Sequence, residues 1–174
     1  MSATPIPRTM IMTIYGDMDV TLIKEKPKNR KAITTYSKLE TKVDEIIKFC
    51  KKAISSGNQI FWVCPLIEKS QKLDNQSAVE KSNFLEKFFK NKIGLVHGSM
   101  ERDEKNKVLD DFLNKKIDVL VSTTVIEVGI DFPNANVIII ENANKYGLSQ
   151  LHQLRGRVGR GDKQSTCILM FKSN

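Results

Sequence analysis

QIFWVCPL, residues 59–66, is apolar at nearly every position. A strand with one wet face alternates apolar and polar side chains, whereas an unbroken apolar run suits a strand covered on both faces. IDVLVST (117–123), NVIIIEN (136–142) and STCILMF (165–171) read the same way, and KIGLVHG (92–98) reads as a shorter strand and its turn. Ala32–Tyr36 forms a further strand. Helical periodicity fills the gaps. Leu39, Val43, Ile46, Ile47, Cys50 and Ile54 share one helix face, stopped at Gly57. A helix near residues 77–91 turns Leu85, Phe88 and Phe89 inward, and one from about Glu101 to Asn114 carries Val108, Leu109, Phe112 and Leu113. Buried strands alternating with helices predict an α/β domain: a mainly parallel sheet with helices on both faces. Upstream, Thr9–Ile14 reads as a short strand and 15–31 as a lysine-rich linker, so the chain divides into an arm, 1–31, and one domain, 32–174.

Composition narrows the function. The chain has 174 residues and a net charge of +8, with 40% hydrophobic residues. That is a globular profile, and its basic excess favours a polyanionic partner such as nucleic acid or nucleotide phosphate. A solvated lysine-rich surface gives the same charge. Cys50, Cys64 and Cys167 lie far apart without a C-x-x-C, which argues against a zinc site or disulfide framework and for a reducing, cytoplasmic setting. The opening residues MSATPIPRT lack the charge-then-apolar pattern of a signal peptide, and the apolar runs are too short for a membrane helix. No metal site is expected.

In parallel α/β sheets, ligands gather at the carboxyl ends of the strands. Three polar clusters follow apolar runs: His97-Gly98, Ser122-Thr123-Thr124 and Glu141-Asn142. A packed or capping histidine explains the first, and a helix N-cap the second. Hydroxyls and free N–H groups at a helix start also grip phosphate. In TTVIEVGID (123–131), Gly129 permits close backbone approach and Asp131 offers a carboxylate to a ribose hydroxyl; a plain turn before Pro133 explains the same letters. LHQLRGRVGRG (151–161) is the densest cluster. Ser149 is positioned to cap a short helix through Leu154. Arg157 and Arg160, three apart, would project from one side of a helical turn, and Gly156, Gly159 and Gly161 would clear space for a large partner. Arginine suits phosphate because its planar fork holds a permanent charge. A flexible RG-rich nucleic-acid loop is the rival reading, opposed by Leu151, Leu154 and Val158 at helical spacing.

The phosphate-cradling loop G-x-x-x-x-G-K-[ST] occurs nowhere in the sequence. Arginines without a cradle suggest a domain that supplies charge to a nucleotide held elsewhere, an effect worth about 10³–10⁵ in rate.

These residues also carry a family resemblance. QLRGRVGR (153–160) is similar to motif VI of superfamily 2 helicases, STTVIEVGIDFPNA (122–135) to motif V, and SATPIPRT (2–9) to the tail of motif III. With YGDMDV (15–20), VCPLIEKS (63–70), LVHGSM (95–100) and ENANKYGLSQLHQLRGRVGRG (141–161), the pattern resembles the RecG family of branched-DNA helicases. The resemblance implies a RecA-like three-layer fold and the second motor domain of a longer bacterial protein. A wedge domain and a first RecA-like domain would belong to the same chain, and ATP with Mg²⁺ would be bound mainly by that first domain. By motif, Arg157 and Arg160 would reach the ATP γ-phosphate and Gln153 would sense it. Gly129 and Asp131 would approach the ribose. Ser122, Thr123 and Thr124, with His97 and Gly98, would hold the DNA backbone. The resemblance further implies a monomer acting on stalled forks and Holliday junctions, with the isolated chain inactive. A freestanding nucleic-acid-binding module, or the matching domain of the transcription-repair coupling helicase, are the alternatives.

Overall fold

The structure, a computed structural model, describes residues 31–65, 71–123, 132–159 and 161–172. The expected strand Thr9–Ile14, all but the last residue of the expected linker 15–31, and the sites Thr124, Gly129, Asp131 and Arg160 lie outside them.

Six strands form one sheet: β1 (Thr34–Leu39), β2 (Gln59–Val63), β3 (Ile93–Val96), β4 (Val119–Ser122), β5 (Ala135–Ile140) and β6 (Thr166–Phe171), in the order β1-β6-β5-β2-β4-β3. Every neighbouring pair is parallel. The strands expected from apolar runs are present with shifted ends: β2 stops at Val63, β5 starts one residue earlier than expected, at Ala135, and the first runs later than Ala32–Tyr36. All residues of β2, β4 and β5 are buried, as two-sided coverage demands.

Among the described residues, four α-helices cover the sheet: α1 (Val43–Ser55), α2 (Gln71–Glu86), α3 (Arg102–Leu113) and α4 (Leu148–Arg155). Alternate side chains along β2 explain the layering. Ile60, Trp62 and Cys64 meet Ile46, Ile47 and Cys50 of α1 and Ala78 and Leu85 of α2. Phe61 and Val63 point the other way, toward Leu109 and Phe112 of α3 and Leu154 of α4. Crossovers that step one way along the sheet use the α1/α2 face, and those that step back use the α3/α4 face. The four crossovers that carry these helices therefore share one handedness. Phe61, Phe112 and Phe132 form an aromatic triad, with centroids 5.2, 5.6 and 5.3 Å apart, that ties α3 and the entry to β5 onto the central strand.

Several local expectations need correction. Leu113 is 43% exposed, because helical spacing from Leu109 and Phe112 carries it past the core-facing edge of α3. The helix expected near 77–91 runs from Gln71 to Glu86, and the chain leaves it through Asn91 at φ 56°. Ser149 does not cap α4. Gly147 occupies that position, its N–H donating to Gln150 Oε1 at 3.0 Å.

Candidate functional site

Because all strands run parallel, the sheet has a carboxyl edge and an amino edge, and the candidate residues divide between them. His97 and Gly98 leave β3 and Ser122 ends β4, so they and Thr123 stand together at the carboxyl edge. Thr123 N–H donates to Val96 O at 3.3 Å, and Cys64 N–H donates to Ser122 O at 2.8 Å, joining three adjacent strand ends. Ser122 and Thr123 are buried, at 1% and 2% exposure. The loop after β3 is the open part of this edge. A Cβ at Gly98 would meet nothing within 4 Å. Lys105 Nζ reaches back from α3 to donate to Gly98 O at 3.3 Å. His97 is half-buried, and its Nδ1 is buried without a hydrogen-bond partner.

Glu141, just past β5, holds a part of this edge that sequence reasoning did not resolve. It is 7% exposed, and Oε1 accepts from Trp62 Nε1 and from Lys81 Nζ, each at 2.8 Å. Lys81 also lies over the rings of Trp62 and Phe84, at 5.9 and 5.3 Å from their centroids. A cavity of about 440 Å³ opens beside this group between α2, β5 and β6. The sequence held one clue: a tryptophan in an all-apolar strand carries an indole N–H that requires an acceptor.

The arginine turn stands at the opposite edge. Helix α4 runs from the carboxyl edge back toward the start of β6, with Leu154 buried and Gln153 exposed. It ends at Arg155. Gly156 N–H donates to His152 O at 3.1 Å and Arg157 N–H to Leu154 O at 3.0 Å, closing the last turn. Val158 is fully buried, Arg157 half-buried, and Gly159 takes φ +78°. That left-handed residue interrupts the helical path two residues after Arg157, and the expected pairing of Arg157 with Arg160 on one helical turn lies outside the described residues.

The glycines also differ from expectation. A Cβ on Gly159 would sit 3.2 Å from Ile33 Cγ1 and 3.4 Å from Ser165 Oγ, and one on Gly161 would sit 2.8 Å from Pro133 O. Both are used for packing against the chain itself, not for admitting a ligand. Ile33, Pro133 and Ser165 precede β1, β5 and β6, which fixes the turn on the amino edge. Sequence spacing identified the cluster but could not say which edge it occupied.

Among the described residues, no helix is long and apolar enough to cross a membrane. The three cysteines are free and buried.

Comparison with known proteins agrees with this architecture. The helicase conserved C-terminal domain family matches residues 37–162. ATP-dependent DNA helicase RecG of Bacillus subtilis (strain 168) is 50% identical over 172 residues, which is 98% of this chain and 25% of that protein. RecG of Thermotoga maritima is 51% identical over 172 residues, covering 98% of this chain and 22% of its own length. A solved structure of RecG bound to a three-way DNA junction superposes with a TM-score of 0.81 at 46% identity, over 99% of this chain and 22% of that one. The chain thus spans about a quarter of the length of these relatives. Its six-stranded parallel sheet is the RecA-like fold of helicase C-terminal domains. The chain belongs to the helicase conserved C-terminal domain family.

Proposed function

We propose that this chain is the second motor domain of an ATP-dependent DNA helicase that remodels branched DNA, with residues 32–174 forming the domain and 1–31 an arm leading into it. The similarity to RecG helicases along nearly the whole chain supports the reading, as does the junction DNA bound by one of those relatives. The observation that carries it is the packing of the arginine turn. Gly159 and Gly161 lie against Ile33, Ser165 and Pro133, so the arginine-bearing segment is built on the ends of three strands. A flexible RG-rich loop that wraps nucleic acid has no use for such a scaffold. A charge delivered to a fixed point in a pocket does.

In this reading the two edges have separate duties. On the amino edge, Arg157 and Arg160 complete a pocket whose other wall belongs to a first RecA-like domain, where ATP and Mg²⁺ are held. Gln153, exposed on α4, orients toward the same phosphate, and Gly129 and Asp131 approach the ribose. When bound, ATP supplies negative charge that draws the arginines across the cleft, and loss of the γ-phosphate releases them. On the carboxyl edge, the His97-Gly98 loop, open at Gly98, and Thr124 hold DNA phosphates, while the buried Ser122 and Thr123 shape the strand end beside that loop. Backbone contacts of this kind grip any sequence and weaken with salt. Two domains gripping DNA while their cleft opens and closes would move it along; a wedge domain of the same protein, working as a cytoplasmic monomer, would split the branch.

The test is hydrolysis by the complete two-motor protein. Arg157→Ala and Arg160→Ala each reduce DNA-stimulated ATP turnover by about 10³-fold while the protein stays folded. The 174-residue chain by itself turns over no ATP. Robust hydrolysis by the chain alone, or unchanged turnover in Arg160→Ala, would overturn the reading.

A further inference from the structure

We propose that Gly161 and Ser165 are positioning residues, which lock the arginine turn to the entries of β5 and β6 and so set where its guanidinium groups stand. The proposal rests on the reading of Arg157 and Arg160 given above.

Two independent contacts carry it. The first is steric. The ideal Cβ of Gly161 lies 2.8 Å from the carbonyl oxygen of Pro133 and 3.7 Å from its carbonyl carbon. These are backbone atoms, and they have little room to retreat: Phe132, the preceding residue, is 4% exposed and held in the aromatic triad with Phe61 and Phe112. Ala135 N–H also donates to Phe132 O at 3.0 Å, closing the turn around Pro133. A methyl group at position 161 would therefore push the arginine turn and leave Pro133 in place.

The second contact is polar. Ser165 is fully buried, and its Oγ donates to Asn136 Oδ1 at 3.2 Å. Asn136, 1% exposed, donates through Nδ2 to Asn58 Oδ1 at 3.0 Å and to Asn134 O at 3.2 Å. Gln59 N–H donates to the same Asn134 carbonyl at 2.7 Å. This network binds the entries of β2, β5 and β6 into one platform, and a buried polar network with each member partnered is rigid. Gly159, between the two arginines, lies directly on it, with Ser165 Oγ 3.4 Å from its ideal Cβ position. The turn thus lies against Ser165 at Gly159 and against Pro133 at Gly161, one contact on either side of position 160.

The test uses the complete two-motor protein. Gly161→Ala and Ser165→Ala each lower DNA-stimulated kcat for ATP hydrolysis by roughly tenfold or more, since a displacement of about 1 Å at a reacting group costs on the order of 100-fold. KM for ATP stays within about twofold, because ATP is held mainly by the other domain. Combined with the double substitution Arg157→Ala/Arg160→Ala, neither substitution slows turnover further, as residues that act only through the same groups are not additive. Losses that multiply with those of the Arg157→Ala/Arg160→Ala double variant, or a kcat within twofold of the parent in both single variants, would overturn the proposal. Full turnover in Arg160→Ala alone would instead overturn the reading of the arginines. Should Gly161→Ala fail to fold, Ser165→Ala decides between the same outcomes by itself.

Discussion

Replacing Glu141 tests what holds the carboxyl edge together. Its Oε1 accepts from Trp62 Nε1 and Lys81 Nζ at 2.8 Å each, and its backbone N–H donates to Val63 O at 3.0 Å. Glu141→Ala removes the carboxylate but leaves that backbone bond. The two orphaned donors are not equivalent. The Trp62 side chain is fully buried, so its indole N–H loses its acceptor with no water to replace it, at a cost of about 1–3 kcal/mol. The Lys81 side chain is 25% exposed and can swing its ammonium outward, so its share is well below the roughly 3–5 kcal/mol of a broken, fully buried pair. We expect a total near 2–3 kcal/mol, or a fall in Tm of roughly 4–12 °C for a chain of this size. Glu141→Gln keeps a carbonyl oxygen for the indole and loses only the charge, so it should cost about half as much or less. Trp62 is the only tryptophan in the chain and supplies its own fluorescence signal for urea unfolding. A loss under about 0.5 kcal/mol for Glu141→Ala, or equal losses for the two substitutions, would refute the reasoning that the buried indole N–H is the dominant debtor.

Two glycines should answer oppositely to alanine. Gly98→Ala adds a methyl to open space and should leave stability unchanged, whereas Gly94→Ala places one 2.8 Å from Val108 Cγ1 and 2.9 Å from Ile117 Cδ1 and should cost about 1–3 kcal/mol in chemical denaturation. The cysteines should resist alkylation at pH 8 until the chain unfolds, because burial pushes the thiols up, Cys50 to about 12 and Cys167 to about 11. A folded thiol pKa above the unfolded value leaves stability intact below about pH 8.5, and stability then falls as pH rises and the unfolded chain alone ionises; iodoacetamide labelling and urea midpoints between pH 8 and 10.5 check both statements.

The sequence by itself determined the sheet. Runs such as QIFWVCPL and NVIIIEN leave no wet face, and only a strand covered on both sides tolerates that. Helical spacing likewise selected Ile46, Ile47 and Cys50, and Leu109 and Phe112, all of which are buried. The arginine cluster was legible too, as residue types in a pattern. Its location was not. Whether Gly159 and Gly161 face a ligand or the chain's own backbone depends on Ile33, Pro133 and Ser165, and of these Ile33 is more than a hundred residues away in sequence. Nor could periodicity register that Gly159 adopts φ +78°, which interrupts the helical path two residues after Arg157. The partners of Glu141 were hidden for the same reason: Trp62 and Lys81 reach it only once β2, α2 and β5 have stacked. Local pattern follows from the chain's own periodicity and burial. Which edge a charge occupies, and what it touches, follows from strand order, and strand order is settled only when distant segments compete for the same neighbours.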